Sequence, residues 1–236
     1  MADLAVQTPG PRLAWERTYH SQVIDLFSTN LSQRWRHTYE SKIIPANQAV
    51  EVNTTIIVSP DGNELRFEDL ANDQFRPYPG VYATLTRSGD VFTYTTRDQQ
   101  QYLYDANSGR LTATIDASGR RVNIQRNADD QLSAIVDAND SSRRLTFVYD
   151  TDGMLSQVSD GTRTVRYEYE LQNGDGRLAR AFDVMGRKTS YTYHATSGLL
   201  HEIRNPLNEL VERVVYDTQQ PPRVSQQTLH DGSQKT

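Results

Sequence analysis

From Tyr104 to Asp217 the chain repeats one short pattern of apolar and polar positions. A leucine stands two places after a turn residue at Leu111, Leu132, Leu155, Leu178 and Leu200, with gaps of 21, 23, 23 and 22 residues. Five residues after each comes an acid or amide: Asp116, Asp137, Asp160, Asp183 and Asn205. Two markers that hold phase through five units define a repeat of about 22 residues.

Each unit predicts two strands and two turns. The first turn carries Asp, Asn and Gly, as in Tyr104-Asp105-Ala106-Asn107-Ser108-Gly109-Arg110 and Tyr149-Asp150-Thr151-Asp152-Gly153. Such residues tolerate the left-handed backbone of a tight turn, and Asx side chains bond main-chain amides two residues on. Gly176 and Gly198 hold the place of Gly109 and Gly153 ahead of Leu178 and Leu200. A short strand follows, such as Leu111–Ile115, then a second turn at Asp116, Asp160 or Asp183. The returning strand alternates with period two. Val165, Tyr167 and Tyr169 face one way and Thr164, Arg166 and Glu168 the other, while Tyr191 and Tyr193 repeat the scheme. Hairpins this short are marginal alone, so the pattern predicts stacking into one continuous sheet.

The first hundred residues are less regular but still read as β, with Ala49 to Val58 and Tyr82–Arg87 as strands. Pro77 and Pro79 mark an internal boundary. Gln219-Gln220-Pro221-Pro222 predicts an interruption of the sheet, because proline donates nothing to a ladder. The expected organisation is an irregular β leader or cap over 1–76, a repeat sheet over 77–217 and a polar tail over 218–236.

Composition narrows the class further. Apolar residues make up 36% of the chain and mean hydropathy is -0.70, yet there are 13 Tyr. That balance suits a thin sheet with a large wetted face better than a thick two-layer core. The net charge of -5 argues against a nucleic-acid or anionic-membrane partner. Of 25 basic residues all but Lys42, Lys188 and Lys235 are arginine, which predicts cross-strand pairing with carboxylates. No cysteine is present, which fits folding in a reducing cytoplasm and leaves later export open. Met1 to Pro11 has no basic segment ahead of an apolar one, so no signal peptide is expected. No apolar run reaches the roughly 20 residues of a membrane span.

The residues offer no catalytic constellation. The acids recur once per unit, as turns require and catalysis does not. His20, His37, His194, His201 and His230 show no metal-ligand spacing along the chain. The dense clusters Asp129-Asp130 and Asn173-Gly174-Asp175-Gly176 lack the converging oxygens of a calcium loop. No Gly-x-Ser-x-Gly elbow occurs. The expectation is a non-enzymatic chain without metal or cofactor. The stacked tyrosines are read as cross-strand packing, with glycan or protein binding as the alternative use of that face. Trp15 and Trp35 are read as anchors of the N-terminal cap.

The signature Tyr104-Asp105…Gly109-Arg110-Leu111 resembles the YD repeat of bacterial Rhs proteins and of the related toxin-complex and teneurin shells. Trp15-Glu16-Arg17-Thr18-Tyr19, followed by Trp35-Arg36-His37-Thr38-Tyr39-Glu40, is similar to the segment leading into an Rhs repeat core. The later units depart from the motif, with Arg126-Asn127, Tyr169-Glu170 and Tyr193-His194 in place of Tyr-Asp, whereas Tyr216-Asp217 keeps it. The resemblance implies an all-β curved sheet of stacked antiparallel hairpins, part of a hollow shell around a C-terminal toxin. It implies as partners the remaining shell and toxin polypeptide together with components of a contact-dependent secretion spike. Family shells are several times longer, so the expectation is a truncated or split shell, an orphan gene fragment, or an N-terminal piece completed by another polypeptide.

Overall fold

The computed structural model describes residues 2–21, 30–49, 51–70, 72–172, 175–219 and 222–235. Among these the fold is all-β, in three antiparallel sheets. The first holds β1 (Ala2–Val6), β2 (Leu13–Tyr19) and β3 (Trp35–His37). The second holds β4 (Lys42–Ile44), β5 (Thr54–Val58), β6 (Glu64–Asp69) and β7 (Phe75–Pro77).

The third sheet has 15 strands, each paired with its sequence neighbours. It opens with β8 (Ala83–Ser88), β9 (Val91–Thr96), β10 (Gln101–Asp105), β11 (Leu111–Ile115), β12 (Arg121–Arg126), β13 (Leu132–Asp137) and β14 (Asp140–Tyr149). It continues through β15 (Leu155–Ser159), β16 (Thr164–Gln172), β17 (Asp175–Phe182), β18 (Lys188–Tyr193) and β19 (Leu200–Arg204). It ends with β20 (Leu210–Tyr216), β21 (Val224–Leu229) and β22 (Gln234–Lys235). A simple meander follows from turns of a few residues, which can only join adjacent antiparallel strands.

Two readings of the sequence need correction. The sheet continues beyond the expected interruption, and the polar tail read over 218–236 contributes two strands, since β21 pairs with β20 from Glu212↔Leu229 to Tyr216↔Val224 and β22 pairs with β21. Pro222 lies outside both strands, where no ladder amide is required, and the Asp217 carboxylate accepts amides from Gln219 and Arg223 to close the link. The strand read from Ala49 begins only at Thr54, because the chain turns first and Asn53 adopts φ 53°. Asn173, Gly174, Gln220 and Pro221 lie outside the described residues.

The core sits between one face of the long sheet and the N-terminal strands. Leu111, Ile135, Leu145, Val158, Val165 and Leu178 from the repeats join Leu13, Trp15, Leu31, Trp35, Ile43 and Phe67 in one buried cluster. This is a two-layer core, thicker than the low apolar fraction predicts. Aromatic side chains supply its volume, since each buries far more area than an aliphatic one. Strands β14 and β16 approach β1, and β13 approaches β2, so the N-terminal segment lies across the inner face.

Candidate functional site

The inner face is organised by one recurring irregularity. In each first-turn hairpin the register shifts immediately before the residue at the tyrosine position. Tyr104 pairs with Leu111, Arg126 with Leu132, Tyr149 with Leu155, Tyr169 with Leu178, Tyr193 with Leu200 and Tyr216 with Val224. Each shift leaves one extra residue on the outgoing strand: Thr112, Ser133, Ser156, Ala179, His201 or Ser225. The hydroxyls of Thr112, Ser156 and Ser225 donate to the carbonyl just before the tyrosine. A bulge bends its strand and increases the local twist, and six in series compound the effect.

Three of the tyrosines at these bulges reach back to the preceding repeat. Tyr149 donates to the carbonyl of Leu132 at 3.0 Å, Tyr169 to that of Leu155 at 2.7 Å, and Tyr193 to that of Leu178 at 2.7 Å. Arg126 takes the tyrosine position in the second unit and bonds the carbonyl of Asp130 instead. Burial pushes the Tyr149 phenol up to about 12 and raises those of Tyr104, Tyr169 and Tyr193 as well. Desolvation disfavours the phenolate, so these groups stay neutral donors.

The acids close turns. Asp116 accepts the amides of Ser118 and Arg120, Asp160 those of Thr162 and Arg163, Asp183 those of Met185 and Arg187, and Asn205 those of Leu207 and Glu209. Asp137 accepts the amide of Asn139. In the first turns Asp105 accepts Ser108 and Asp150 accepts Asp152 and Met154. These bonds to the charged form hold Asp105, Asp116, Asp160 and Asp183 below the ordinary carboxylate range.

Gly109, Gly153 and Gly198 occupy left-handed backbone, whereas Gly176 lies inside β17 with no such φ. Gly109 is also constrained by packing, because a Cβ there would stand 2.2 Å from the carbonyl oxygen of Ile43. Among the repeating arginines, Arg163 pairs with Asp160 and Arg187 with Asp183, each at 2.6 Å, and Arg110 pairs with Asp130. Arg120 instead bonds the carbonyl of Pro9, and Arg177 is buried against the Tyr193 ring.

The N-terminal segment uses what the bulges leave open. The Trp15 indole donates to the Tyr167 hydroxyl at 2.8 Å, which donates to Asp3 at 2.7 Å. Asp3 pairs with Arg17, whose guanidinium lies 4.7 Å from the Tyr167 ring centroid and within reach of the Tyr191 hydroxyl at 3.3 Å. The Trp35 indole donates to Tyr193 at 2.9 Å. The amide of Leu155 donates to the carbonyl of Asn30 at 2.7 Å, that of Leu200 to the Tyr19 hydroxyl at 3.0 Å, and that of Ile43 to the Gly109 carbonyl at 2.8 Å. Ser41 and Tyr104 share a hydroxyl bond of 2.7 Å. Sequence reasoning identified the two tryptophans and missed Asp3 and Arg17, whose pairing needs two strands brought together by the fold.

The inner face also carries openings. A cleft of about 610 Å³ lies between the N-terminal sheets and the first hairpins, lined by Tyr94, Tyr102, Gln100, Asp61, Asp116 and Arg12 among others. Tyr94 and Tyr102 stand opposite each other across β9 and β10, with ring centroids 5.7 Å apart. Among the described residues no group of three or more His, Cys, Asp or Glu side chains is placed to hold a metal ion, and no helix is long and apolar enough to cross a membrane.

Comparison with known proteins agrees with this geometry. Residues 1–67 match a domain of unknown function, DUF6531. The tRNA(Glu)-specific nuclease WapA of Bacillus subtilis subsp. natto and the tRNA nuclease WapA of Bacillus subtilis are each 29% identical over 91% of this chain. The tRNA3(Ser)-specific nuclease WapA of Bacillus spizizenii is 29% identical over 56% of it. The chain spans about a tenth of the length of the first two relatives and 5% of the third. Residues 89–234, more than half of the sequence and all but the first strand of the long sheet, match the teneurin YD-shell, and the chain belongs to that family.

Proposed function

We propose that this chain is a non-catalytic section of an Rhs-type shell that encloses a C-terminal toxin and helps deliver it, with the chemistry carried by another segment or polypeptide. The observation that carries the reading is the use of the inward tyrosines. Tyr149, Tyr167, Tyr169 and Tyr193 spend their hydroxyls on neighbouring repeats and on the N-terminal segment, so the face is committed to holding a wall together. The carboxylates that recur are engaged with turn amides, the use that a repeating turn requires. The WapA relatives supply the toxin side of the reading, a tRNA nuclease in a chain about ten times longer.

The test is purification of the tagged chain from its native cells with mass spectrometry, together with incubation of the pure chain with total tRNA. A co-purifying longer YD-repeat polypeptide, toxin domain or secretion-spike component, and intact tRNA, support the shell reading. Specific tRNA cleavage by the pure chain, or a folded monomer with no such partner, overturns it.

A binding module for glycan or protein is the second reading, and the Tyr94–Tyr102 cleft favours it, because two half-buried aromatic rings line it beside amides and carboxylates, which suits a sugar ring. Saturable binding on a glycan array, lost in Tyr94→Ala, would establish that use.

A further inference from the structure

The fifth repeat carries two departures that meet in space. Where the first turn elsewhere has Asp105, Asn127, Asp150, Glu170 or Asp217, it has His194, and where the bulge has Thr112, Ser133, Ser156, Ala179 or Ser225, it has His201. The hairpin brings the two imidazoles together with ring centroids 4.2 Å apart. His194 Nε2 and His201 Nδ1 both point at the carbonyl oxygen of Val214, each at 3.4 Å.

That spacing is long for a hydrogen bond, whose usual N···O range ends near about 3.2 Å. Each N···O spacing also suits two ligands on one ion. Donors about 2.0–2.1 Å from a tetrahedral metal stand about 3.4 Å from each other. The turn that carries His194 is fixed by main-chain bonds from the His194 amide to Leu199 and from the Gly198 amide to His194, both 2.8 Å. His201 sits on the bulge, and the Tyr216 ring stands edge-on to His194 at 5.8 Å, walling the site. Two nitrogens and one carbonyl therefore converge on rigid elements, although their spacing along the chain matches no metal motif.

We infer that His194, His201 and the Val214 carbonyl form a binding site for a first-row divalent transition-metal ion such as Zn²⁺, completed by water. Imidazole is a favoured ligand for these ions, and a first shell left open to water gives a modest, exchangeable site.

Calorimetric titration of the untagged chain with Zn²⁺ tests this. One ion per chain is expected, with affinity weakened at least tenfold in His194→Asn and in His201→Ser. Both substitutions install residues that the second repeat carries at the same positions, Asn127 and Ser133. Circular dichroism checks the fold of each variant. In the unsubstituted chain, NMR ring signals of His194 and His201 should shift with Zn²⁺ while those of His20, His37 and His230 stay in place, a readout that needs no variant. Absence of binding at millimolar Zn²⁺, unchanged affinity in both folded variants, or shifts confined to the other histidines would overturn the site.

Discussion

Tyr169 donates its hydroxyl to the main-chain carbonyl of Leu155, 2.7 Å away and one repeat earlier. The same bond joins Tyr149 to Leu132 and Tyr193 to Leu178. Leucine and tyrosine are therefore two ends of one device: the leucine fills the core while its carbonyl receives the next unit. Ladder bonds hold neighbouring strands, and these hydroxyls tie each unit to the one before it.

Removing one tie should be measurable. Tyr169→Phe leaves the Leu155 carbonyl without this partner and should cost about 1–3 kcal/mol in chemical denaturation. Tyr82→Phe, at a residue 78% exposed, serves as the control and should cost nothing measurable. Equal stability of the two variants would remove the hydroxyl from the account.

The leucines should outweigh the turn acids. Leu155 is buried, and Leu155→Ala should cost about 2–5 kcal/mol through lost burial and the cavity left behind. Asp160→Ala removes amide bonds from an exposed turn and should cost about 0.5–1.5 kcal/mol. A thermal melt in which the order is reversed would put the stability in the turns.

Arg17 and Asp3 should act as a buried pair. Arg17→Met leaves the Asp3 carboxylate without its cation and should cost about 3–5 kcal/mol. The loss should be read first at the amides of Leu155 and Leu200, which the N-terminal segment covers. Hydrogen exchange that stays slow at both amides would show that the segment holds without the pair.

Acid should loosen the fold in two stages. Burial, reinforced by the nearby arginines Arg126, Arg110 and Arg36, lowers His37 from 6.5 to about 3. The unfolded chain thus binds the extra proton first, and this stabilisation, complete above pH 6.5, drains away as pH falls toward 3. The turn acids Asp105, Asp160 and Asp183 are lowered from 3.8, so their contribution is full above that value and disappears below it. His37→Asn should flatten the upper stage of a pH–stability curve and leave the lower one. A curve unchanged by the substitution would sink the assignment.

The repeat was legible because its signals are local. Leu111–Ile115 matches its strand residue for residue, since Asx and Gly turns fix where each strand must stop. The face of Val165, Tyr167 and Tyr169 also follows from alternation alone. The N-terminal arrangement did not follow, because Trp15 meets Tyr167 across 152 positions and no local pattern encodes that contact. The bulge was hidden for a different reason. One extra residue, such as Ser156, looks like ordinary strand until the pairing of Tyr149 with Leu155 reveals the offset. The C-terminal strands were harder to read because proline signals a sheet break, whereas Pro222 lies outside both β20 and β21.

The offset at each bulge sets a rule for how such a chain can change length. Although the units differ in length, the leucine ahead of each of these bulges is buried on the same inner face from one unit to the next. Adding or deleting an entire unit keeps every downstream leucine facing inward. Adding one amino acid inside a strand turns every later residue of that strand over and exposes what it should bury. Growth by whole copies, and intolerance of single-residue insertions between turns, is thus written into the hairpin itself.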